Sequence, residues 1–303
     1  MSLKEKVINA SPDFLVKWIA APYIAGDSPE AALQMADKLW KERNIYSSLD
    51  ILGEETTNRE EVELYVKAYS DVLDKIGNSS YTNISLKPTQ LGVYNGFDYL
   101  YNNMKKILLK AAKYNNSVTI DMEDHNYTDI TLRLYKELRK HYHNVDTALQ
   151  SRLFRTDQDI DNLVGFQAHI RLCIGIYLEP PEIAYQKKPK MKEKLLVYMK
   201  KLFDMGHYVA IATHDEALIH KALDLIEKNN IPQNQYEFQM LIGVPKRKIQ
   251  DYLVQKGIKF LLYIPYCINW KDAIAYCQRR LNANPHIGFY VAGNFFKKLL
   301  GKR

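Results

Sequence analysis

Short β-type segments recur along this 303-residue chain, each followed by a longer stretch with apolar residues at three- and four-residue spacing. The β-type segments fall at residues 45–49, 82–86, 117–121, 147–150, 168–173, 208–212, 237–241 and 260–264. Helical spacing covers residues 29–42, 59–76, 97–114, 128–142, 192–205, 215–229 and 246–256. Alternation of β and α with short connections predicts a parallel sheet, because the crossover between parallel strands runs through a helix. Eight such units predict a closed (β/α)8, TIM-like barrel of the α/β class rather than an open doubly wound sheet. A helical arm is expected over residues 1–44 and the barrel over 45–303, as one domain without linker, repeat or low-complexity tract. Neither GxGxxG nor GxxxxGK[ST] occurs, which argues against a Rossmann or P-loop machine.

A barrel of this kind carries its chemistry at the carboxyl ends of its strands. Polar residues gather at those positions. Lys87 follows the second strand, Asp121 ends the third and Gln150 the fourth. Arg171 lies inside the fifth, Thr213 and His214 end the sixth, Gln239 lies in the seventh and Tyr263 in the eighth. A charge in or just after a buried strand must find a partner or neutralise itself, since unpaired burial costs several kcal/mol. Lys87, Asp121 and Arg171 are therefore read either as an ion network closing the barrel mouth or, with the rest of the rim, as a binding site.

Beyond the last strand come Tyr276, Arg279 and Arg280. At i, i+3 and i+4 they share a face of a helix. Two guanidinium forks side by side suit a carboxylate, which each can pair through two parallel charge-assisted hydrogen bonds.

The formal charge of +7 is carried partly by the run 187–192 and by Lys297, Lys298, Lys302 and Arg303. Such runs read as solvated faces, with contact to anionic headgroups as a secondary reading. No nucleic-acid motif accompanies them, and nucleic acid is not expected as a partner. No stretch reaches the roughly 18–20 apolar residues of a spanning helix, and a cytoplasmic protein is expected. Cys173, Cys267 and Cys277 have no zinc spacing and are expected as reduced thiols, with no metal site.

Eight pieces, in order along the chain, resemble one family: the flavin-dependent proline dehydrogenases in their short, monofunctional bacterial form. They are Ser85-Leu86-Lys87-x-Thr89-Gln90-Leu91-Gly92, Ile120-Asp121-Met122-Glu123-Asp124, Leu149-Gln150, Ile170-Arg171-Leu172-x-x-Gly175-x-Tyr177-x-Glu179, Ala212-Thr213-His214-Asp215, Phe238-Gln239-Met240-Leu241-x-Gly243, Tyr263-x-Pro265-Tyr266 and Tyr276-x-x-Arg279-Arg280-Leu281. The resemblance implies FAD-dependent oxidation of L-proline to 1-pyrroline-5-carboxylate by hydride transfer to flavin N5. It further implies a quinone acceptor, a place in proline catabolism and, for the basic surface, peripheral contact with the inner face of a membrane. By the same resemblance Arg279 and Arg280 clamp the substrate carboxylate, Lys87 adds a cation, and Tyr263 and Tyr276 close over the ring. Arg171 reaches the flavin N5 region and Asp121 belongs to the catalytic polar network. Met122, Gln150, Ile174, Gly175, Ile176, Thr213, His214 and Gln239 fall at cofactor contacts.

The chain departs from the family pattern at five positions. Ile174 stands where the family carries lysine, and Ile176 replaces a small residue. Ile242 replaces a large polar residue, Cys267 a glycine, and Ala283 the glutamate that follows the arginine pair. Ala283 leaves the clamp one charge more positive. Two alternatives stay open on these departures: a flavin dehydrogenase of a related amino or imino acid, and a non-catalytic barrel that binds a carboxylate.

Overall fold

The computed structural model describes residues 23–53, 55–269, 272, 273 and 276. Its strands are β1 Tyr46–Ile51, β2 Thr82–Leu86, β3 Val118–Ile120, β4 Val145–Gln150, β5 His169–Cys173, β6 Tyr208–Ala212, β7 Tyr236–Leu241 and β8 Phe260–Tyr266. Each pairs in parallel with the next, and β8 pairs with β1 from Tyr46↔Leu261 to Ile51↔Tyr266, which closes the barrel. The helices are α1 Pro29–Arg43, α2 Arg59–Ile76, α3 Phe97–Ala112, α4 His125–Arg139, α5 Thr156–Asp161, α6 Lys188–Asp204, α7 Glu216–Lys228 and α8 Arg247–Gln255. The (β/α)8 expectation holds.

Alternation within the strands sorts side chains between two layers, because successive residues of a strand point to opposite faces. Leu49 and Ile51, Ile84 and Leu86, Ile170 and Leu172, Val209 and Ile211, and Phe238 and Met240 are buried outward under the helices. The residues between them point inward, and many are polar: Ser48, Asp50, Ser85, Arg171, Glu237 and Gln239. Ser48 Oγ and Ser85 Oγ lie 2.7 Å apart across the β1–β2 pair. The barrel interior is thus filled partly by a hydrogen-bonded polar column in place of branched aliphatics, and every such group needs a partner.

Side-chain caps start several helices as the chain leaves the carboxyl rim. Asp124 accepts from Asn126 N at α4, and Asp215 accepts from Leu218 N at α7. Each cap satisfies an orphan amide and contributes about 1 kcal/mol. Both aspartates sit at the ends of the sequence pieces that carry Asp121 and Thr213, so those loops are pinned within a few residues of the site.

Several boundaries differ from the sequence reading. β1 runs on through Asp50 to Ile51, because Asp50 finds a buried partner and the strand need not stop at a charge. β3 ends at Ile120, leaving Asp121 just beyond it. α6 starts at Lys188, so most of the lysine run 187–192 is its first turn, with Lys190 paired to Glu193 and Lys192 to Asp215. α5 has no counterpart in the apolar spacing. Of the helical arm, the described part is α1 and the segment 23–26, which bonds back to the end of β8 through Ala25 N to Pro265 O at 2.8 Å.

Candidate active site

Four elements bring the charged residues of the rim together. Lys87, immediately after β2, donates from Nζ to Asp50 Oδ1 at 2.7 Å and lies 3.5 Å from Asp121 Oδ2. Asp121 accepts from Arg171 Nη1 through Oδ1 and from the Tyr263 hydroxyl through Oδ2, the latter at 2.5 Å. Arg171 is further held by Gln239 Oε1 at 2.6 Å and Ser85 Oγ at 2.8 Å, with its guanidinium 5.2 Å from the centre of the Tyr263 ring. Lys87, Asp121, Arg171 and Tyr263, predicted from four separate strands, form one cluster.

Electrostatics follow from burial. Asp50 is fully buried, and desolvation pushes its carboxyl up to about 6 against the pull of Lys87. Burial works against the charge of Arg171, but Asp121, Tyr263, Cys173 and Glu237 outweigh it and hold the guanidinium more firmly protonated. Tyr263 is driven well up by burial and by the carboxylates of Asp121 and Asp50, which keeps its proton in place as a donor. Cys173 is pushed up to about 11, chiefly by burial, so its sulfur is a thiol and no nucleophile.

Gln150 and Gly175 meet where β4 and β5 end. Gln150 donates from Nε2 to Glu123 O at 2.6 Å, while its Oε1 is buried without a hydrogen-bond partner. Gly175 turns with φ +101° against it, and a Cβ there would stand 2.2 Å from Gln150 Oε1. Only glycine fits at that position. Met122 and Thr213 are buried, His214 and Ile174 are half-buried, and Ile176 is exposed. Thr213 N donates to Gln239 O at 3.1 Å, tying the ends of β6 and β7. An orphaned acceptor, Gln150 Oε1, and a buried cation, Arg171, are groups that fit the polar edge of a planar flavin ring, and the Gly175 turn packs directly on that acceptor.

The Gln239 amide bonds within the barrel, accepting from Arg171 Nε and donating to Glu237. Tyr276 is buried in a small apolar cluster with Ile24, Leu52, Cys267 and Ala273. Ile242 is buried in the main core. Arg279, Arg280 and Ala283 lie outside the described residues, as does Cys277.

The sequence reading missed Asp50, Ser85, Glu123 and Glu237 as site supports. Glu123 accepts from Thr89 N at 3.1 Å and Thr89 Oγ1 at 2.6 Å, joining the loops after β2 and β3. Asp50 and Glu237 carried one signal, a carboxylate at an inward position of a strand, which becomes legible once strand parity is fixed.

Fold and rim together define a TIM-like barrel with a cluster of paired buried charges at the carboxyl ends of its strands. The chain belongs to the proline dehydrogenase family, whose sequence profile matches residues 32–287. Proline dehydrogenase 2 of Bacillus subtilis strain 168 is 37% identical over 251 residues, covering 81% of this chain and 80% of that protein. The proline dehydrogenase of Deinococcus radiodurans is 30% identical over 285 residues, covering 92% and 90%. Among solved structures, proline utilization A from Bdellovibrio bacteriovorus, inactivated by N-propargylglycine, matches with a TM-score of 0.80 at 23% identity. That match covers 87% of this chain and 32% of the longer one, and it speaks for the fold.

Proposed function

We propose that this protein oxidises L-proline to 1-pyrroline-5-carboxylate with bound FAD and passes the electrons to a quinone, as a step of proline catabolism. Family membership supports the reaction class, and the joined cluster of Lys87, Asp121, Arg171 and Tyr263 is the single observation that carries the site. FAD, when bound, supplies the two-electron acceptor, taking a hydride from the carbon beside the ring nitrogen.

The protein's part is placement and charge. Lys87, already oriented by Asp50, provides a cation for the substrate carboxylate, with Arg279 and Arg280 proposed as the clamp and Tyr276 as a wall. Tyr263 holds its proton toward Asp121 Oδ2 and presents its ring beside Arg171, leaving a flat face for the substrate ring. Arg171, fixed on three sides by Asp121, Gln239 and Ser85, sets a positive charge where electron density gathers during reaction, and it needs no reorganisation to do so. Gln150 and the Gly175 turn, with Met122, Ile174, Ile176, Thr213 and His214 around them, would hold the cofactor. Among the described residues no helix is long and apolar enough to cross a membrane, and peripheral contact through the basic surface is part of the proposal.

An absorption spectrum tests this reading. The purified protein is expected to show flavin bands near those of an oxidised flavoprotein, bleached by L-proline and restored by a quinone. Flavin bands that L-proline leaves unchanged, with a structurally intact protein, would remove proline as substrate.

A further inference from the structure

Behind Arg171 the polar column continues to the opposite end of the barrel. Gln239 accepts from Arg171 Nε through Oε1 at 2.6 Å and donates through Nε2 to Glu237 Oε1. Glu237 Oε2 in turn accepts from Tyr208 OH at 2.9 Å and from Lys259 Nζ at 2.7 Å. An amide has one acceptor end and one donor end, and nothing in its own shape tells Gln239 which end should face Arg171. A guanidinium only donates, so a reversed amide would set N–H against N–H. The carboxylate of Glu237 only accepts and thereby removes the choice. It is 4% exposed, and burial raises its proton affinity, but Lys259, Gln239 and Tyr208 together hold it ionised.

We propose that Glu237 is a positioning residue for the reaction: by accepting from Gln239 Nε2 it fixes the orientation of the Gln239 amide, and through it the guanidinium of Arg171. Glu237 touches neither substrate nor cofactor. Its effect on rate rests on the role given to Arg171 above, whereas its effect on Arg171 does not. Lys259, 44% exposed, keeps Glu237 ionised but is not itself part of the orienting chain.

The two effects are separable by experiment. Exchange of the Arg171 Nε–H with solvent is read by 15N NMR on the full chain, and turnover by L-proline-dependent dye reduction. Glu237→Leu, which has no acceptor, is expected to speed Arg171 Nε–H exchange at least tenfold and lower kcat about tenfold, with KM for L-proline within twofold. Lys259→Met is expected to change neither, because a Glu237 carboxyl that takes up a proton on Oε2 still accepts from Gln239 through Oε1. Glu237→Gln has one carbonyl to share between Gln239 and the Lys259 side, so it falls between. Adding Lys259→Met to Glu237→Gln frees that carbonyl for Gln239 and restores slow exchange. Unaltered exchange in Glu237→Leu overturns the proposal, and so does a Lys259→Met variant that behaves like Glu237→Leu. Should Glu237→Leu not fold, the pair Glu237→Gln and Glu237→Gln/Lys259→Met decides, and equal exchange rates overturn it. Fast exchange in Glu237→Leu with no L-proline turnover in the wild type would leave the positioning chain intact and remove only the assigned reaction.

Discussion

The two ends of the barrel both bury charge, but they close their accounts differently. At the amino end Glu237 is saturated by Lys259, Tyr208 and Gln239. Arg139 there donates to the carbonyls of His143, Val145 and Gln167. His169 lies against Asp146 at 3.4 Å and stacks on Tyr208 with ring centres 4.8 Å apart. At the carboxyl end Lys87, Asp50, Asp121 and Arg171 are paired too, yet buried polar atoms are left over around them. Asp50 Oδ2, Gln150 Oε1, and Nε and Nη1 of Arg152 have no hydrogen-bond partner. Buried polar groups in native proteins are satisfied as a rule. Unpartnered buried atoms occur at the amino end as well, Ser47 Oγ, Asn116 Oδ1 and His207 Nε2 among them; the carboxyl end differs in that its unpartnered atoms include those of charged groups, Asp50 Oδ2 and Arg152 Nε and Nη1.

Removing a charge from each end is the sharpest test of that contrast. Arg171→Met is expected to lower turnover at least 100-fold and to cost about 3 kcal/mol of stability, because it leaves Asp121 buried without its main partner. Lys259→Met, at the other end, takes the counter-ion from buried Glu237 and is expected to cost about 2 kcal/mol, yet to keep kcat within twofold. Chemical denaturation and dye-reduction kinetics on both variants measure this, and comparable loss of turnover in the two would erase the distinction between the ends.

Two glycines repeat the comparison in the backbone. Gly175 and Gly206 both have positive φ, +101° and +76°, so alanine is strained at either by about 1 kcal/mol. At Gly206, before β6 at the amino end, an added Cβ meets nothing within 4 Å, whereas at Gly175 it would meet Gln150 Oε1 at 2.2 Å. Gly175→Ala is expected to weaken flavin binding about tenfold or more, read by fluorescence titration of the apoprotein with FAD. Gly206→Ala should leave it unchanged. Equal effects would move the cofactor away from Gln150.

A pH dependence is seated at the amino end. Burial pushes Asp146 up to about 7, with Arg139 opposing, so between about 4 and 7 the folded chain holds a proton that the unfolded chain has released. Stability from this group is present at low pH and lost as pH rises through that window. His169, pushed down to about 4 by burial, acts oppositely, costing stability as pH falls from 6.5. Asp146→Asn is expected to gain on the wild type by about 1–2 kcal/mol between pH 5 and pH 8, measured by urea unfolding. Parallel pH profiles for the two proteins would show that Asp146 titrates normally.

Much of this architecture was legible from the chain alone, and its gaps have physical causes. The eight strands were readable because their outward residues are apolar and turn signals separate them. β1 was read too short because Asp50 looks like a strand end until Lys87, 37 positions later, is seen to neutralise it. α5, Thr-Asp-Gln-Asp-Ile-Asp, carries almost no apolar spacing and gave no helical signal. Lys87, Asp121, Arg171, Gln150 and Tyr263 could be picked out as polar residues at strand ends. Their mutual distances could not.

By itself, then, the sequence determined the period of the fold and the chemistry available at its rim, since both are written in local order: apolar alternation, helix spacing, and which side chains carry charge. Which charges neutralise one another was decided only by closure of the barrel. Closure brings β1 against β8 and places Asp50, Lys87, Asp121, Arg171 and Tyr263 around one interior. In that low-dielectric space their pairing and proton affinities depend on distances that no local pattern encodes.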